Sequence, residues 1–396
     1  MRPLEWQRFR VEAIAIPWDV QGQPASADPQ GRKIAEEFLR SLLAAWNACG
    51  AFEWVALGYL ALSSLLILIW RHNLAHAFAL FATQALAATI ILVLCRIEAR
   101  SETKAARTGE SWSHRLWHFW RHWYPHLFFL FCFEELGRLV HLVYPGWFDA
   151  RLIAFDYRLT GVHPSIWLEQ FASPAMNDFM QFAYITYFLY LLVLGGILYW
   201  RQDWEAYWSV MTYSAVGYVI GYLISLFFPI ESPWFAMAGS WHAELTGGPF
   251  TALINTIEHI GRVHGAAFPS EHVAGSVAAL WGAWRHRRRL FWIFLPLAAL
   301  MCFSTVYGRY HYVADVLAGM LTGTLGYWIG SRLMCVRGAV AGMRSRSSPA
   351  MASRRCGWAP QTAFAKAHAV SGDAQEQLFG KGPDNELHSY RQTLCR

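Results

Sequence analysis

Charged side chains are scarce in this sequence. Only 15% of its 396 residues are Asp, Glu, Lys or Arg, against about 25% in a typical soluble domain, and 55% are hydrophobic. Lysine is especially rare: the four lysines, Lys33, Lys104, Lys366 and Lys381, all lie outside the long apolar runs. The composition therefore excludes an ordinary soluble domain. Any anion site within the apolar part has to use arginine, histidine or backbone N–H groups.

Other common features are also missing. The seven cysteines form neither a C-x-x-C pair nor a spacing typical of zinc sites, so we expect no disulfide framework and no structural metal. Residues 1–33 are polar and charged and do not resemble a cleavable signal peptide. Basic residues cluster in particular loops, which indicates membrane orientation, and we predict no nucleic-acid partner.

What the sequence does contain is a series of apolar runs. A spanning helix needs about 20 apolar residues. Eight runs approach that length: 51–70, 73–95, 123–143, 178–200, 207–228, 269–284, 290–308 and 313–333. We therefore predict an all-α fold, a polytopic membrane bundle of about eight transmembrane helices.

The arginines orient this bundle. They are concentrated between the second and third runs, at 285–289 between the sixth and seventh, and after the eighth. Because cytoplasmic loops carry the excess of basic residues, both termini are predicted to be cytoplasmic. The long loops 144–177 and 229–268 then lie on the non-cytoplasmic side.

The same features divide the chain into four parts. We predict a cytosolic leader with an amphipathic helix (1–50, the helix over 34–48), two transmembrane helices with a basic loop (51–122), a six-helix core (123–333) and a disordered basic cytosolic tail (334–396).

Two polar clusters stand out within the core. The first is His-Gly-Ala-Ala-Phe-Pro-Ser-Glu-His at 264–272, and the second is Tyr-Gly-Arg-Tyr-His-Tyr-Val-Ala-Asp at 307–315. The basic run 285–289 lies between two apolar spans that separate the clusters. This order predicts a helical hairpin through the membrane, with both clusters on the face opposite the arginines.

The first cluster opens the sixth helix. Pro269 suits the first helical position, and the free N–H groups of the first turn form an anion site to which Ser270 adds a hydroxyl. His272 exchanges a proton near neutral pH. Glu271 either complements the helix dipole or takes part in catalysis.

The second cluster supplies a nucleophile. His311 and Asp315 share one helix face, and a carboxylate that holds one imidazole nitrogen leaves the other free to attack. Arg309 offers a fork to phosphate oxygens. His264 and Arg262 either touch substrate or face water. No metal ion is required, since positive charge and oriented N–H groups stabilise a phosphoryl transition state.

Other polar residues of the core allow less specific interpretations. Glu134 and Arg138 on the third span form either an internal ion pair or a polar wall of a headgroup pocket. Tyr184 and Tyr187 on the fourth span are interpreted as packing or interface residues.

At the two clusters the sequence resembles the type 2 phosphatidic acid phosphatase superfamily, whose signatures include P-S-G-H and S-R-x-x-x-x-x-H-x-x-x-D. The H-Y-x-x-D form at 311–315 and the segment Asp-Tyr-Arg-Leu-Thr-Gly-Val-His-Pro at 156–164 resemble the branch with inositol phosphorylceramide synthases. The resemblance covers about residues 123–333. It implies a metal-independent and cofactor-free membrane enzyme with its active site on the non-cytoplasmic face, in a bacterial inner membrane rather than a eukaryotic Golgi.

The resemblance also implies roles for individual residues. His311 would form a phosphohistidine, and Asp315 would orient it. His272 would protonate the leaving alcohol and then activate the acceptor. Ser270 would help to bind phosphate, and Glu271, Arg309 and His264 would line the substrate site.

Three positions depart from the family pattern. Glu271 stands where the family has glycine, and Thr305 stands where it has the arginine six residues before the histidine. The segment 228–234, which matches the family's first motif in position, has neither its lysine nor its arginine. The predicted catalytic residues are therefore present while the phosphate clamp is depleted.

These patterns favour a lipid phosphatase or phosphotransferase. Its expected partners are a membrane phospholipid and an acceptor, which is water or a lipid alcohol. Transfer of inositol phosphate or a similar headgroup to a lipid alcohol is one form of this activity. The alternative is a non-catalytic membrane protein that binds phospholipid. A transporter is not indicated, because no span shows the paired broken helices of a midplane site.

Overall fold

The fold is known from a computed structural model. It describes residues 48–108, 111–261 and 263–344, with isolated helical residues between 33 and 46. Apart from an isolated bridge between Ile230 and Ala266, the regular structure of these residues is helical. The predicted all-α class is therefore confirmed. The leader, most of the predicted helix over 34–48 and the tail beyond 344 lie outside the described residues.

The described helices up to Arg337 belong to one compact unit of the chain. In chain order the helices are α1 (Ala51–Ile69), α2 (Ala77–Thr108), α3 (Trp112–Leu139), α4 (Asp149–Thr160), α5 (Pro164–Trp167), α6 (Pro174–Ile185), α7 (Tyr187–Trp200), α8 (Trp204–Phe227), α9 (Pro233–Ala236), α10 (Pro249–Gly261), α11 (Glu271–His286), α12 (Arg288–Tyr307) and α13 (Val313–Arg344). Short 3-10 turns cover Arg71–Asn73 and Leu168–Phe171.

Several of these helices can cross a membrane. Among the described residues, α1, the first part of α2, α6 together with α7, α8 and α12 are long and apolar enough, which makes five candidate spans. The other three predicted spans are the helices α3, α11 and α13, which do not reach this measure; α11 has only 16 residues. Large apolar side chains such as Phe78 and Leu86 lie exposed on the outside of α2, as contact with lipid requires. The protein is an integral membrane helical bundle.

The long loops are more ordered than the apolar runs predict. The loop 144–177 contains α4 and α5, and the loop 229–268 contains α9 and α10. These helices have at most 13 residues, so a search for membrane-length runs does not find them. Two of them contact the second polar cluster: Asp156 of α4 accepts the N–H of Val313, and the N–H of Trp234 of α9 donates to the carbonyl oxygen of Arg309.

The fourth predicted span is divided in two. α6 ends at Ile185 and α7 begins at Tyr187. Between them, the hydroxyl of Thr186 donates to the carbonyl oxygen of Ala183 at 2.6 Å. Threonine hydroxyls that bond to carbonyls of the preceding turn often bend helices.

The helices pack around α8. In the most apolar 18-residue stretch of α8, 72% is buried inside the protein, whereas in that of α2 only 22% is buried. α13 approaches its neighbours backbone to backbone. A Cβ at Gly319 would lie 2.5 Å from the carbonyl oxygen of Ser270, the residue directly before α11, and one at Gly326 would lie 2.7 Å from the backbone nitrogen of Gly217 on α8. Only glycine permits these distances, so α13 lies directly against the first polar cluster.

Candidate active site

Three loops meet at one end of the bundle: the loop after α8, the loop before α11 and the loop between α12 and α13. The N–H of Ala267 donates to the carbonyl oxygen of Ile230 at 3.1 Å, and the N–H of Trp234 donates to that of Arg309 at 3.0 Å. The family-like segments therefore meet through their backbones.

The two polar clusters lie side by side, because α11 and α12 form a hairpin that turns at Arg287. Nδ1 of His272 lies 3.2 Å from Nε2 of His311. The N–H of Ser270 donates to the backbone carbonyl oxygen of Asp315 at 3.0 Å. The structure thus brings together the three residues to which the sequence assigns catalysis.

The start of α11 differs from the sequence prediction by two residues. The helix begins at Glu271, and Ser270 is its N-cap, so Pro269 precedes the cap and does not occupy the first helical position. The hydroxyl of Ser270 accepts the N–H of Val273 at 3.4 Å and is fully buried. It closes the first turn of its own helix, and its contact with phosphate stays a prediction.

His311 is oriented by two acceptors. It precedes α13 by two residues, and its Nδ1 lies 2.9 Å from the carbonyl oxygen of Ala267 and 3.3 Å from Oδ2 of Asp315. Because both partners are acceptors, Nδ1 carries the hydrogen and Nε2 keeps its lone pair. Oδ2 of Asp315 also accepts the N–H of Tyr312 at 2.8 Å, which fixes the carboxylate.

His272 extends this arrangement into a directed chain. Since Nε2 of His311 accepts, Nδ1 of His272 carries a hydrogen, and Nε2 of His272 accepts from the hydroxyl of Tyr184 at 2.8 Å. Burial lowers the pKa of His311 well below its usual value, and the neighbouring His272 lowers it further. His311 therefore presents an unprotonated nitrogen to His272 at neutral pH.

Two tyrosines enclose the His272 ring. The ring centroids of Tyr184 and Tyr187 lie 5.1 and 4.6 Å from it. Tyr184 also stacks on Tyr310 at 4.5 Å, while the hydroxyl of Tyr187 lies 3.4 Å from that of Tyr218. The interpretation of both tyrosines as packing residues omitted the hydrogen bond of Tyr184. Their spacing carries no signal for it, since the partner histidine is 88 residues away.

Glu271 lies beside the histidine pair but contacts a different helix. A Cβ on Gly221 of α8 would lie 2.2 Å from its Oε1. The side chain is buried, and neither carboxyl oxygen has a hydrogen-bond partner among the described residues. It is the first residue of α11, and both interpretations of Glu271, as a complement to the helix dipole and as a participant in catalysis, stay predictions. Its role towards substrate stays a prediction.

Arg309 is held by the outer loops. Its Nη2 donates to Oε1 of Glu169 and to the carbonyl oxygen of Ala243, both at 2.7 Å, and the guanidinium lies 4.2 Å from the Trp241 ring. The guanidinium has a carboxylate partner in this structure. These two contacts engage only Nη2 of the guanidinium, and binding of phosphate by Arg309 stays a prediction.

His264 is likewise paired with a carboxylate. Its Nε2 lies 2.9 Å from Oε1 of Glu231, and its ring contacts Trp147 and Phe235. The side chain is half exposed. Arg262, the other loop residue named from the sequence, lies outside the described residues. Among the described residues to which the sequence assigns substrate contacts, Arg309 and His264 thus each lie against a carboxylate.

Thr305 shows what replaces the family arginine. Its carbonyl oxygen accepts the N–H groups of Tyr310 at 2.9 Å and of His311 at 3.1 Å. Its hydroxyl donates to the carbonyl oxygen of Cys302 at 2.7 Å. The residue shapes the loop that carries His311 without adding charge.

The arrangement of possible metal ligands among the described residues does not point to a metal centre. Within the part of the chain that the structure describes, no three His, Cys, Asp or Glu side chains are grouped so that they could hold a metal ion.

Comparison with known proteins finds similarity over the segment that contains the site. Residues 150–329 match the model of the PAP2 superfamily, and this segment contains all three loops of the site. The bacitracin transport permease protein BcrC of Bacillus licheniformis is 24% identical over 151 residues, which cover 37% of this chain and 68% of that protein. No solved structure matches the chain significantly. The protein is therefore an integral membrane protein with similarity to the PAP2 superfamily over the segment that contains the site, and these matches do not single out the inositol phosphorylceramide synthase branch.

Proposed function

We propose that the protein transfers a phosphoryl group from a membrane lipid through a phosphohistidine on His311. The observation that carries this proposal is the directed chain from Tyr184 through His272 to the unprotonated Nε2 of His311. A protein that only binds lipid has no need of a nucleophile held by a carboxylate with a proton donor beside it.

In the first half of the reaction, the lone pair of Nε2 of His311 attacks phosphorus and the bond to the leaving oxygen breaks. His272 gives its Nδ1 proton to that oxygen. For this step His272 carries a second proton on Nε2, which Tyr184 then accepts as a hydrogen bond. The charge of an incoming phosphate favours this imidazolium form. The products are an alcohol, a phosphohistidine and a neutral His272.

In the second half, neutral His272 takes a proton from the acceptor hydroxyl through Nδ1. The acceptor oxygen attacks phosphorus, and the bond to Nε2 of His311 breaks. Water as acceptor gives a phosphatase, and a lipid or polyol alcohol gives a phosphotransferase. Transfer of a phospho-headgroup such as inositol phosphate to a lipid alcohol is the finer form of the proposal.

The present geometry is that of a closed resting site. The 3.2 Å between Nδ1 of His272 and Nε2 of His311 is a hydrogen bond, which leaves no room for phosphorus between them. The imidazole of His311 is also buried. Substrate binding therefore separates the two rings before reaction.

The test uses purified protein in detergent with a panel of radiolabelled phospholipids that includes phosphatidic acid and an inositol phospholipid. We expect phosphate release or headgroup transfer, with alkali-stable and acid-labile label on the protein. His311→Asn should abolish both. His72→Asn, which changes an exposed histidine in the turn after α1, should alter neither.

The identity of the product separates phosphatase from transferase. Binding of phospholipid without turnover or protein labelling, by protein that remains folded, would refute the proposal and favour the non-catalytic alternative. In that case the contacts of Arg309 with Glu169 and of His264 with Glu231 would be the features of the site left to explain.

A further inference from the structure

Asp156 has no role in the reaction described above, yet it reaches the candidate active site. It lies in α4, outside the membrane-length helices. The carboxylate of Asp156 accepts the N–H of Val313 at 2.7 Å and that of Ala314 at 2.9 Å. These are the first two residues of α13, the helix that carries Asp315.

The contact has the chemistry of a helix cap. The first four N–H groups of an α-helix have no partner within the helix, and a carboxylate there is favoured by both hydrogen bonding and the helix dipole. Here the carboxylate comes from another helix, 157 residues earlier in the chain. Asp156 is only 2% exposed, so these two bonds compensate for the burial of its charge.

A second carboxylate of α4 acts next to it. Asp149 accepts the hydroxyl of Tyr312 at 2.8 Å, the N–H of Glu231 at 2.9 Å and the N–H of Ser232 at 3.3 Å. Ser232 has φ +105°, a backbone conformation that is costly for residues other than glycine and that needs support from its surroundings. Asp149 therefore ties the loop after α8 to the residue that follows His311.

Together these bonds fix His311 from both sides. The carbonyl oxygen of Thr305 holds the N–H groups at 310 and 311. Asp149 and Asp156 hold the hydroxyl at 312 and the N–H groups at 313 and 314. The position of Nε2 relative to His272 thus depends on a helix that contributes no reacting atom.

We propose that α4 positions the nucleophile: Asp156 and Asp149 hold the backbone around His311 so that its Nε2 lies in line with the phosphoryl group and with His272. This inference rests on the proposed function, because it assigns α4 a task in phosphoryl transfer. Neither carboxylate touches the reacting atoms, so both are positioning residues. A misplacement of about 1 Å at a reacting centre costs about 100-fold in rate, which sets the scale of the expected effect.

The variants are Asp156→Ala, Asp156→Asn and Tyr312→Phe. The first removes both acceptors, the second keeps one acceptor oxygen, and the third removes only the bond from Tyr312 to Asp149. The matched control is Asp178→Ala. Oδ1 of Asp178 accepts the N–H of Thr251 at 2.9 Å and so caps α10 from another helix, but α10 carries none of the catalytic residues.

We expect Asp156→Ala to lower kcat about 100-fold with KM changed less than about threefold. Asp156→Asn should restore part of the loss, and Tyr312→Phe should lower kcat by about three- to tenfold, the effect of one hydrogen bond. Asp178→Ala should leave kcat within about twofold. Equal losses in Asp156→Ala and Asp178→Ala would overturn the proposal, because they would indicate general loosening of the fold.

A second measurement does not depend on turnover. Diethyl pyrocarbonate modifies accessible, unprotonated imidazoles, and peptide mass spectrometry gives the rate at His311, which is only 4% exposed. We expect Asp156→Ala and Tyr312→Phe to accelerate modification of His311, and Asp178→Ala to leave it unchanged. An inactive wild-type protein with this pattern would refute the proposed function but not the positional role of α4. Unchanged modification and unchanged kcat in both α4-contact variants would refute that role.

Discussion

The two tyrosines around His272 provide a test of the proton path. Both rings contact the imidazole, with ring centroids 5.1 Å away for Tyr184 and 4.6 Å away for Tyr187. Only Tyr184 forms a hydrogen bond with it, from its hydroxyl to Nε2 of His272 at 2.8 Å. Tyr184→Phe and Tyr187→Phe therefore each remove one hydroxyl from a ring that contacts His272, but only the first removes a hydrogen bond to it. The aromatic contacts, including the stack of Tyr184 on Tyr310, are retained in both variants.

The size of the effect follows from the charge of His272. A hydrogen bond to a neutral group contributes about 1 kcal/mol and one to a charged group about 2 kcal/mol, so the bond gains about 1 kcal/mol when His272 becomes imidazolium. Tyr184→Phe should thus lower kcat about fivefold. Without the Tyr184 hydroxyl as an acceptor, the imidazolium form of His272 is less favoured, so the basic limb of the rate profile moves to lower pH. The loss in kcat should therefore grow as pH rises. Tyr187→Phe should remain within about twofold of wild type.

The assay is the pH dependence of kcat and KM for the best phospholipid of the panel, measured in detergent or lipid vesicles with folded fractions matched. Equal rates for the two variants at every pH would refute the reasoning, since the hydroxyl of Tyr184 would then add nothing beyond ring packing. A uniform fall in kcat with no displacement of the basic limb would place the effect of Tyr184 on something other than the proton of His272.

Three further predictions concern other parts of the site. Because burial lowers the pKa of His311, its Nε2 stays unprotonated below the usual imidazole range, and the acidic limb of kcat/KM should lie below about pH 6.5; a limb at or above that value contradicts this. Glu169→Gln leaves the buried guanidinium of Arg309 without its carboxylate and should destabilise the protein by about 3 kcal/mol in thermal unfolding, a loss that the added change Arg309→Met should partly reverse. Gly326→Ala puts a Cβ 2.7 Å from the backbone nitrogen of Gly217 and should cost about 1–3 kcal/mol in the same assay; an unchanged melting temperature would show that the helices separate freely.

The parts of this site that sequence reasoning finds are the local ones. His311 and Asp315 are four residues apart, so helical spacing alone places their side chains within reach, and the measured contact is 3.3 Å. The hairpin of α11 and α12 follows from two apolar runs with arginines between them. Length and apolarity therefore specify the bundle and the meeting of the two polar clusters.

The parts that sequence reasoning does not find are contacts between distant segments. Arg309 pairs with Glu169, 140 residues away, and Asp156 reaches Val313 across 157 residues. Nothing in the local pattern around either carboxylate identifies the partner that it contacts. The helix α4 is also too short for the length criterion of a membrane span, although it contacts the residues that follow His311.

The start of α11 shows a third kind of difference. Proline favours the first helical position, but serine, the preferred N-cap, directly follows it in this sequence and begins the helix two residues later. The preference of serine for the N-cap, and not that of proline for the first helical position, therefore decides where the helix begins. The consequence for function is that the hydroxyl of Ser270 is already engaged with Val273.

The glycine contact between α13 and α11 has a consequence for how such a site can diversify. Gly319 lies against the backbone of Ser270, so the helix that follows the nucleophile contributes no side chain where it meets the start of the helix that carries the acid. The spacing of the two imidazoles is thereby insulated from substitutions that repack the lipid-facing surface. The outer loops can then change in length and composition to admit other headgroups or acceptors while the reacting pair keeps its geometry.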